Sequence, residues 1–105
     1  MPVLDTAALL HWPMDRLVGG LVAHSQLAEL QRLSPQRAML IESIDMQWLS
    51  PSTQDAQAAA AATGDLPRLS QVDLDVLAIA MSSGQTLFTD DYSLQNVCRS
   101  LSHPF

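Results

Sequence analysis

The sequence predicts an α/β domain in which helices cover both faces of a small parallel sheet. Short apolar segments alternate with helical patterns, and glycine, proline or serine residues separate them. The chain has 105 residues, of which 48% are apolar, so it can build the core of one domain, residues 1–105. No apolar run approaches the roughly 20 residues that a membrane-spanning helix needs.

The first half of the chain is predicted to contain two strands and three helices. Helix formers follow the first apolar run, Leu27 and Leu30 fall on one face of an amphipathic helix, and Ser34 precedes a proline that starts the next helix. Gly19 and Gly20 are assigned to a loop. The predicted elements are a strand over 2–5, a helix from Thr6 that ends before His11, helices over 25–33 and 35–43, and a strand over 46–50.

The second half is predicted to contain three helices and one strand. Ser52 or Thr53 caps an alanine-rich helix that ends at Gly64, because alanine is the best helix former and glycine a common stop. A long helix begins after Ser70, and a tight turn at Gly84 leads into a short buried strand. That strand ends at Thr89, and the last helix follows, which gives three predicted strands in all.

Charge and cysteine content narrow the functional classes. Eleven acidic residues face five arginines and no lysine, and the net charge of −6 argues against broad electrostatic binding to nucleic acid. An enzyme whose metal ions neutralise some of those acids remains compatible with this charge. The one cysteine, Cys98, excludes a four-cysteine zinc site within the chain, and we expect it to be buried. The first residues lack the pattern of a signal peptide, which predicts a cytoplasmic protein.

Three aspartates stand where predicted helices begin. Asp5, Asp73 and Asp91 can each be explained as a helix cap, with Thr89 and Asp90 as rival caps for the last helix. Helices that follow parallel strands start at the same sheet edge, so Asp5 and Asp91 should also converge there. Clustered carboxylates are typical ligands of Mg²⁺ or Mn²⁺. Capping and metal binding therefore remain as alternatives for each acid.

Several segments together resemble the PIN domain ribonucleases. They are VLDTAALL, a helix with one inward glutamate, TGDLPRLSQVDLDVLAIA and LFTDDYSLQNV. The likeness is closest to the archaeal and eukaryotic endonuclease that matures the 3′ end of small-subunit ribosomal RNA. The resemblance implies a three-layer α/β/α fold with strand order about 3-2-1-4, with or without an edge strand. It also implies a metal-dependent endoribonuclease that acts on RNA, with a ribosomal precursor as the expected substrate.

The resemblance also implies roles for individual residues. The four catalytic acids fall on Asp5, Glu29, Asp73 and Asp91, of which Asp5, Asp73 and Asp91 would bind Mg²⁺ or Mn²⁺ and Glu29 would position the attacking water. The three metal-binding carboxylates should lie within about 4 to 8 Å of a common point. Supporting roles fall to Thr6, Thr89 and Asp90, and Arg68 is the expected contact to an RNA phosphate.

The sequence departs from the family pattern in three places, and these departures keep two other functions open. His24 stands where the family has proline, no cysteine pairs for a zinc ribbon are present, and the usual last strand is reduced to SHPF. An exposed sheet edge would then invite a second copy or another protein. The alternatives are a toxin ribonuclease of the VapC type and a catalytically idle PIN fold that serves as an interaction module. Trp12 and Trp48 are expected to pack in the core or an interface rather than stack on RNA.

Overall fold

The structure, a computed structural model, describes all 105 residues as a four-stranded sheet between two layers of helices. The strands are β1 (Val3–Leu4), β2 (Leu21–Ala23), β3 (Gln47–Leu49) and β4 (Leu87–Phe88). The helices are α1 (Thr6–His11), α2 (His24–Leu33), α3 (Pro35–Glu42), α4 (Gln54–Thr63), α5 (Gln71–Ser83) and α6 (Tyr92–Ser100), with short 3-10 turns at Met14–Arg16 and Leu66–Arg68. All strand pairs are parallel in the order β3-β2-β1-β4, which confirms the predicted α/β class and strand order.

Strand β2 is the one element that the sequence patterns did not predict. It pairs with β1 through Val3 and Leu21 and with β3 through Val22 and Trp48, so it lies inside the sheet. All three of its residues are buried. A strand buried on both faces shows no alternation of polar and apolar residues, and three apolar residues after Gly19 and Gly20 look like the end of a loop.

Side chains that alternate along the strands build two separate cores. Val3 and Leu21 point to one face, where sixteen buried residues join the sheet to α4, α5 and α6. Leu4 and Val22 point to the other face, where eight buried residues join it to α1, α2 and α3. The alternation of strand side chains therefore accounts for the predicted three-layer arrangement.

Helix ends are fixed by the caps that the sequence predicts. The hydroxyl of Ser34 accepts a hydrogen bond from the backbone N of Arg37 at 3.3 Å at the start of α3. Gly64 and Gly84 end α4 and α5 in the left-handed conformation, with φ of 78° and 70°, a conformation that glycine adopts at little cost. Thr53 precedes α4 but its side chain forms no capping hydrogen bond.

The C-terminal segment lies along the outer edge of β4. The backbone N of Leu87 donates to the carbonyl of Pro104 at 3.0 Å, and the His103 imidazole donates from Nε2 to the carbonyl of Gln85 at 2.7 Å. The sequence predicted that a reduced SHPF segment would leave this edge exposed. These two hydrogen bonds instead cover part of it, and the other edge of the sheet is β3.

Cys98 and the two tryptophans occupy the expected environments. Cys98 is fully buried, and that burial raises the pKa of its thiol to about 11. Trp12 and Trp48 are half-buried and pack against the core beneath α1, α2 and α3. None of the helices is long and apolar enough to span a bilayer.

Candidate active site

A cleft opens where β1 and β4 end. Asp5 follows β1, and its backbone N donates to the carbonyl of Phe88 at 3.3 Å, which ties it to the end of β4. Thr89 and Asp90 come next along the chain, so parallel pairing brings all three residues to one edge of the sheet. The cleft has a volume of about 480 Å³ and is lined by Asp5, Ala7, Ala8, His11, Trp12, Phe88, Thr89, Asp90, Gln95 and Phe105.

The two oxygens of the Asp5 carboxylate have different surroundings. Its Oδ1 accepts a hydrogen bond from the backbone N of Ala8 at 2.9 Å and caps α1. Its Oδ2 has no hydrogen bond to the protein and is the oxygen that a ligand in the cleft can contact. Capping and ligand binding are therefore compatible in this one side chain.

The turn from Thr89 to Asp91 is held by its own side chains. Oγ1 of Thr89 accepts from the backbone N of Asp91 at 3.1 Å, and Gln95 donates from Nε2 to the Thr89 carbonyl at 2.8 Å. Asp91 Oδ1 accepts hydrogen bonds from two backbone N–H groups at the start of α6. Asp91 therefore caps this helix, and Thr89 and Asp90 do not. Asp90 is exposed at the cleft.

The other acids suggested by the family resemblance lie outside the cleft lining, and Asp91 is one of them. Asp73 forms a capping box with Ser70, in which Asp73 Oδ2 accepts from the Ser70 backbone N at 2.9 Å. Glu29 is half-buried on α2. The structure contains no group of three or more acidic, histidine or cysteine side chains arranged to hold one metal ion. A metal shared by Asp5, Asp73 and Asp91 therefore stays a prediction.

Asp75 joins α5 to α2. The Ser25 hydroxyl donates to Asp75 Oδ2 at 2.6 Å, and Gln71 donates from Nε2 to Oδ1 at 3.2 Å. Both carboxylate oxygens thus have partners within the protein. This pairing fixes the start of α2, the helix that carries Glu29, against α5.

Gln26 is a positioning residue that the sequence reasoning missed. Its side chain is fully buried, accepts from the backbone N of Ala23 at 2.8 Å and donates to the Leu4 carbonyl at 2.9 Å. The amide of Gln26 therefore joins the ends of β1 and β2 immediately before Asp5, and it also lies 3.5 Å from the hydroxyl of Thr6. Its spacing of four residues before the buried Leu30 was the available signal.

A second, polar groove lies along α6, away from the cleft. Its floor is Asp65, which is only 5% exposed and accepts hydrogen bonds from the Thr63 hydroxyl at 2.6 Å and from Asn96 Nδ2 at 2.7 Å. These two hydrogen bonds, with the nearby Arg68 guanidinium, hold the pKa of Asp65 below its ordinary value. Arg68 contacts Asp65 at 3.3 Å and is otherwise largely exposed. The groove is lined by Asp65, Arg68, Tyr92, Ser93, Asn96 and Arg99.

Acid should destabilise the fold through Asp65. Because the pKa of Asp65 is lower in the folded state, the folded state gains stability above about pH 4, the ordinary range of aspartate, and loses it as pH falls through the lower value. Asp65→Asn should lower stability at neutral pH and flatten the decline below about pH 4. Urea unfolding followed by circular dichroism across this range tests it. Asp55→Asn, an exposed change on α4, should leave the dependence of the unfolding free energy on pH as in the unaltered protein. An equal flattening in Asp55→Asn would contradict the role assigned to Asp65.

Comparison with curated proteins relates the chain to archaeal enzymes, although no protein-family model matches it. It is 35% identical to Ribonuclease VapC1 of Thermoplasma acidophilum over 98% of this chain and 55% of that protein. It is 41% identical to Endoribonuclease Nob1 of Pyrococcus abyssi over 63% of this chain and 43% of that protein. It is 30% identical to Endoribonuclease Nob1 of Methanocaldococcus jannaschii over 95% of this chain and 52% of that protein.

The chain is a homologue of archaeal VapC and Nob1 ribonucleases. The resemblance to PIN domain ribonucleases is thereby confirmed, and the parallel sheet with helices on both faces agrees with it. The chain spans about half the length of the curated relatives that it matches.

The cleft of this ribonuclease homologue has the donor chemistry that a hard divalent cation needs. Mg²⁺ is commonly held by one or two carboxylates together with waters and substrate phosphates. Asp5 offers its free Oδ2 and Asp90 is exposed in the same cleft, so the residues present include the one or two carboxylates that such an ion commonly takes.

Proposed function

We propose that this chain is a divalent-metal-dependent endoribonuclease that hydrolyses RNA phosphodiester bonds. The observation that carries the proposal is the cleft in which Asp5 and Asp90 stand at the ends of neighbouring parallel strands, on a chain related to named ribonucleases. Ligands of open α/β sheets bind at this edge. The acidic residues there would repel a phosphate unless a cation lies between them.

We propose Mg²⁺ or Mn²⁺ as the cofactor, held by Asp5 together with the Asp90–Asp91 turn. Such an ion, when bound, supplies an activated water and offsets the charge on the phosphoryl oxygens. The protein's part is to fix the ligands: Gln26 holds the end of β1, and Thr89 holds the turn. Asp73, Glu29 and Thr6 complete the family-based proposal, with Glu29 orienting the attacking water.

For the substrate we propose a ribosomal RNA precursor in the cytoplasm. The TGDLPRLSQVD and TDDYSLQNV segments resemble the ribosomal subgroup, and two archaeal relatives carry the name Nob1. Arg68 remains the proposed phosphate contact, because most of its side chain is exposed beside α6. A partner protein or a second copy at a sheet edge is proposed as well.

The second candidate is a toxin ribonuclease of the VapC type. The observation that favours it is the match to Ribonuclease VapC1, which extends over 98% of the chain at 35% identity. The proposed chemistry is the same in both cases, so the two candidates differ in the RNA that is cut and in the partner protein.

A cleavage assay tests the proposal and ranks the candidates. The purified chain is incubated with a precursor that spans the 3′ end of small-subunit ribosomal RNA and with transfer RNA, each in Mn²⁺, in Mg²⁺ and in EDTA. We expect cleavage that requires metal and a melting temperature that rises with metal. Cleavage of the precursor in preference to transfer RNA supports the ribosomal candidate, and cleavage without that preference counts against it. If nothing is cleaved in Mn²⁺ and metal leaves the melting temperature unchanged, the interaction-module alternative is correct.

A further inference from the structure

One wall of the cleft is aromatic. The rings of Trp12 and Phe88 meet edge to face with centroids 5.3 Å apart, and both line the cleft that contains Asp5 and Asp90. Phe88 is 38% exposed although it belongs to a strand, and Trp12 is only half-buried. Core packing therefore accounts for part of each ring and leaves the rest facing the cleft.

The aromatic wall is held rigidly and carries a positive charge. Arg37 donates from Nε to the Leu9 carbonyl at 2.7 Å and from Nη2 to the Trp12 carbonyl, which fixes the segment after α1. The Arg16 guanidinium lies over the Trp12 ring, 4.7 Å from its centroid. A preorganised aromatic surface loses little entropy on binding. Arg16 does not line the cleft itself, and its contact with the Trp12 ring helps to hold that ring in place.

This combination matches the two parts of a nucleotide. Carboxylates with a cation suit the phosphate, and an uncharged ring suits the face of a nucleobase, since proteins that bind single-stranded RNA stack its bases on aromatic side chains. Stacking on an aromatic ring uses the flat face that every base has, so such a wall would accept any base.

We propose that Trp12 and Phe88 form a stacking subsite for the nucleobase next to the scissile phosphate. The proposal rests on the proposed function and specifies its substrate as unpaired RNA. It adds a role in stacking to the packing in the core or an interface that the sequence predicted for Trp12.

The two tryptophans of the chain allow a direct test. Trp48 lies in β3, at the opposite edge of the sheet, with its ring centroid 6.2 Å from that of His24, and it does not line the cleft. Trp48→Phe leaves Trp12 as the only indole, and Trp12→Phe leaves Trp48. Each variant is titrated in Mg²⁺ with adenosine 5′-monophosphate and with ribose 5-phosphate, which differ only in the base, while tryptophan fluorescence is recorded.

We expect saturable quenching of Trp12 by the nucleotide, at least about 5-fold tighter than any response to ribose 5-phosphate, and no response of Trp48. Equal responses to both ligands, no response of Trp12, or quenching of Trp48 would overturn the proposal. If Trp48→Phe does not fold, the unaltered protein and Trp12→Phe give the same comparison. Because neither ligand contains a phosphodiester bond, the result is independent of whether the chain cleaves RNA.

Discussion

Asp5→Asn is expected to lower metal-dependent RNA cleavage by at least about 100-fold. Mutation of a residue that only hydrogen-bonds to a metal ligand already lowers activity by about 10- to 100-fold, and loss of a ligand itself should cost at least as much. Asparagine caps helices about as well as aspartate. The hydrogen bond from Ala8 that starts α1 should therefore survive. What is lost is the second carboxylate oxygen, which an amide NH2 group replaces, and with it the negative charge that favours a divalent cation.

Initial cleavage rates across a Mn²⁺ titration, with circular dichroism for folding, test this prediction. Asp91→Asn should behave alike, because asparagine can keep the cap on α6. Asp55→Asn is the matched control, an exposed aspartate in the first turn of α4 that is not one of the proposed site residues, and it should retain full activity. Full activity in Asp5→Asn would refute the metal assignment, as would an equal loss in Asp55→Asn.

Gln26→Leu should have the largest effect on stability, a loss of about 2 to 4 kcal/mol in the free energy of unfolding. Leucine fills a similar volume but leaves the backbone N of Ala23 and the carbonyl of Leu4 without their partner. Each buried group that loses its hydrogen bond costs about 1 to 3 kcal/mol. The strands that meet at this amide carry Asp5, so metal-dependent stabilisation should weaken as well.

Urea denaturation gives the free energy, and Gln31→Leu supplies the control. Gln31 lies on the same helix but is exposed, so its replacement should change stability by no more than about 0.5 kcal/mol. Similar losses in the two variants would show that the helix simply tolerates leucine poorly and that the Gln26 amide has no special role.

The sequence predicted the features that depend on neighbouring residues. The Asp5 cap, the Ser70–Asp73 box and the glycine that ends α5 follow from local hydrogen bonding, and the structure contains all three. Strand β2 was not predicted, because the residues next to it in the sequence do not reveal its two partner strands in the sheet.

Contacts between distant segments explain the rest. Gln26 and Asp65 look like ordinary polar residues until the fold buries them against Leu4 and Asn96. The resemblance supplied Asp5 and the TDD turn as site residues, but it could not tell which carboxylates face one cleft. Local capping ties Asp73 and Asp91 to their own helices, so their participation depends on the arrangement that a bound cation would favour.

The pairing of β1 with β4 has a consequence for how the molecule forms. Leu4 pairs with Phe88, so the cleft is assembled from two segments that lie far apart in the sequence. Contacts between such distant residues form late and slowly, because a long loop must close before they contribute stability. During synthesis, the side of β1 that pairs with β4 stays unpaired until β4 has been made. We therefore expect the candidate active site to form late in folding.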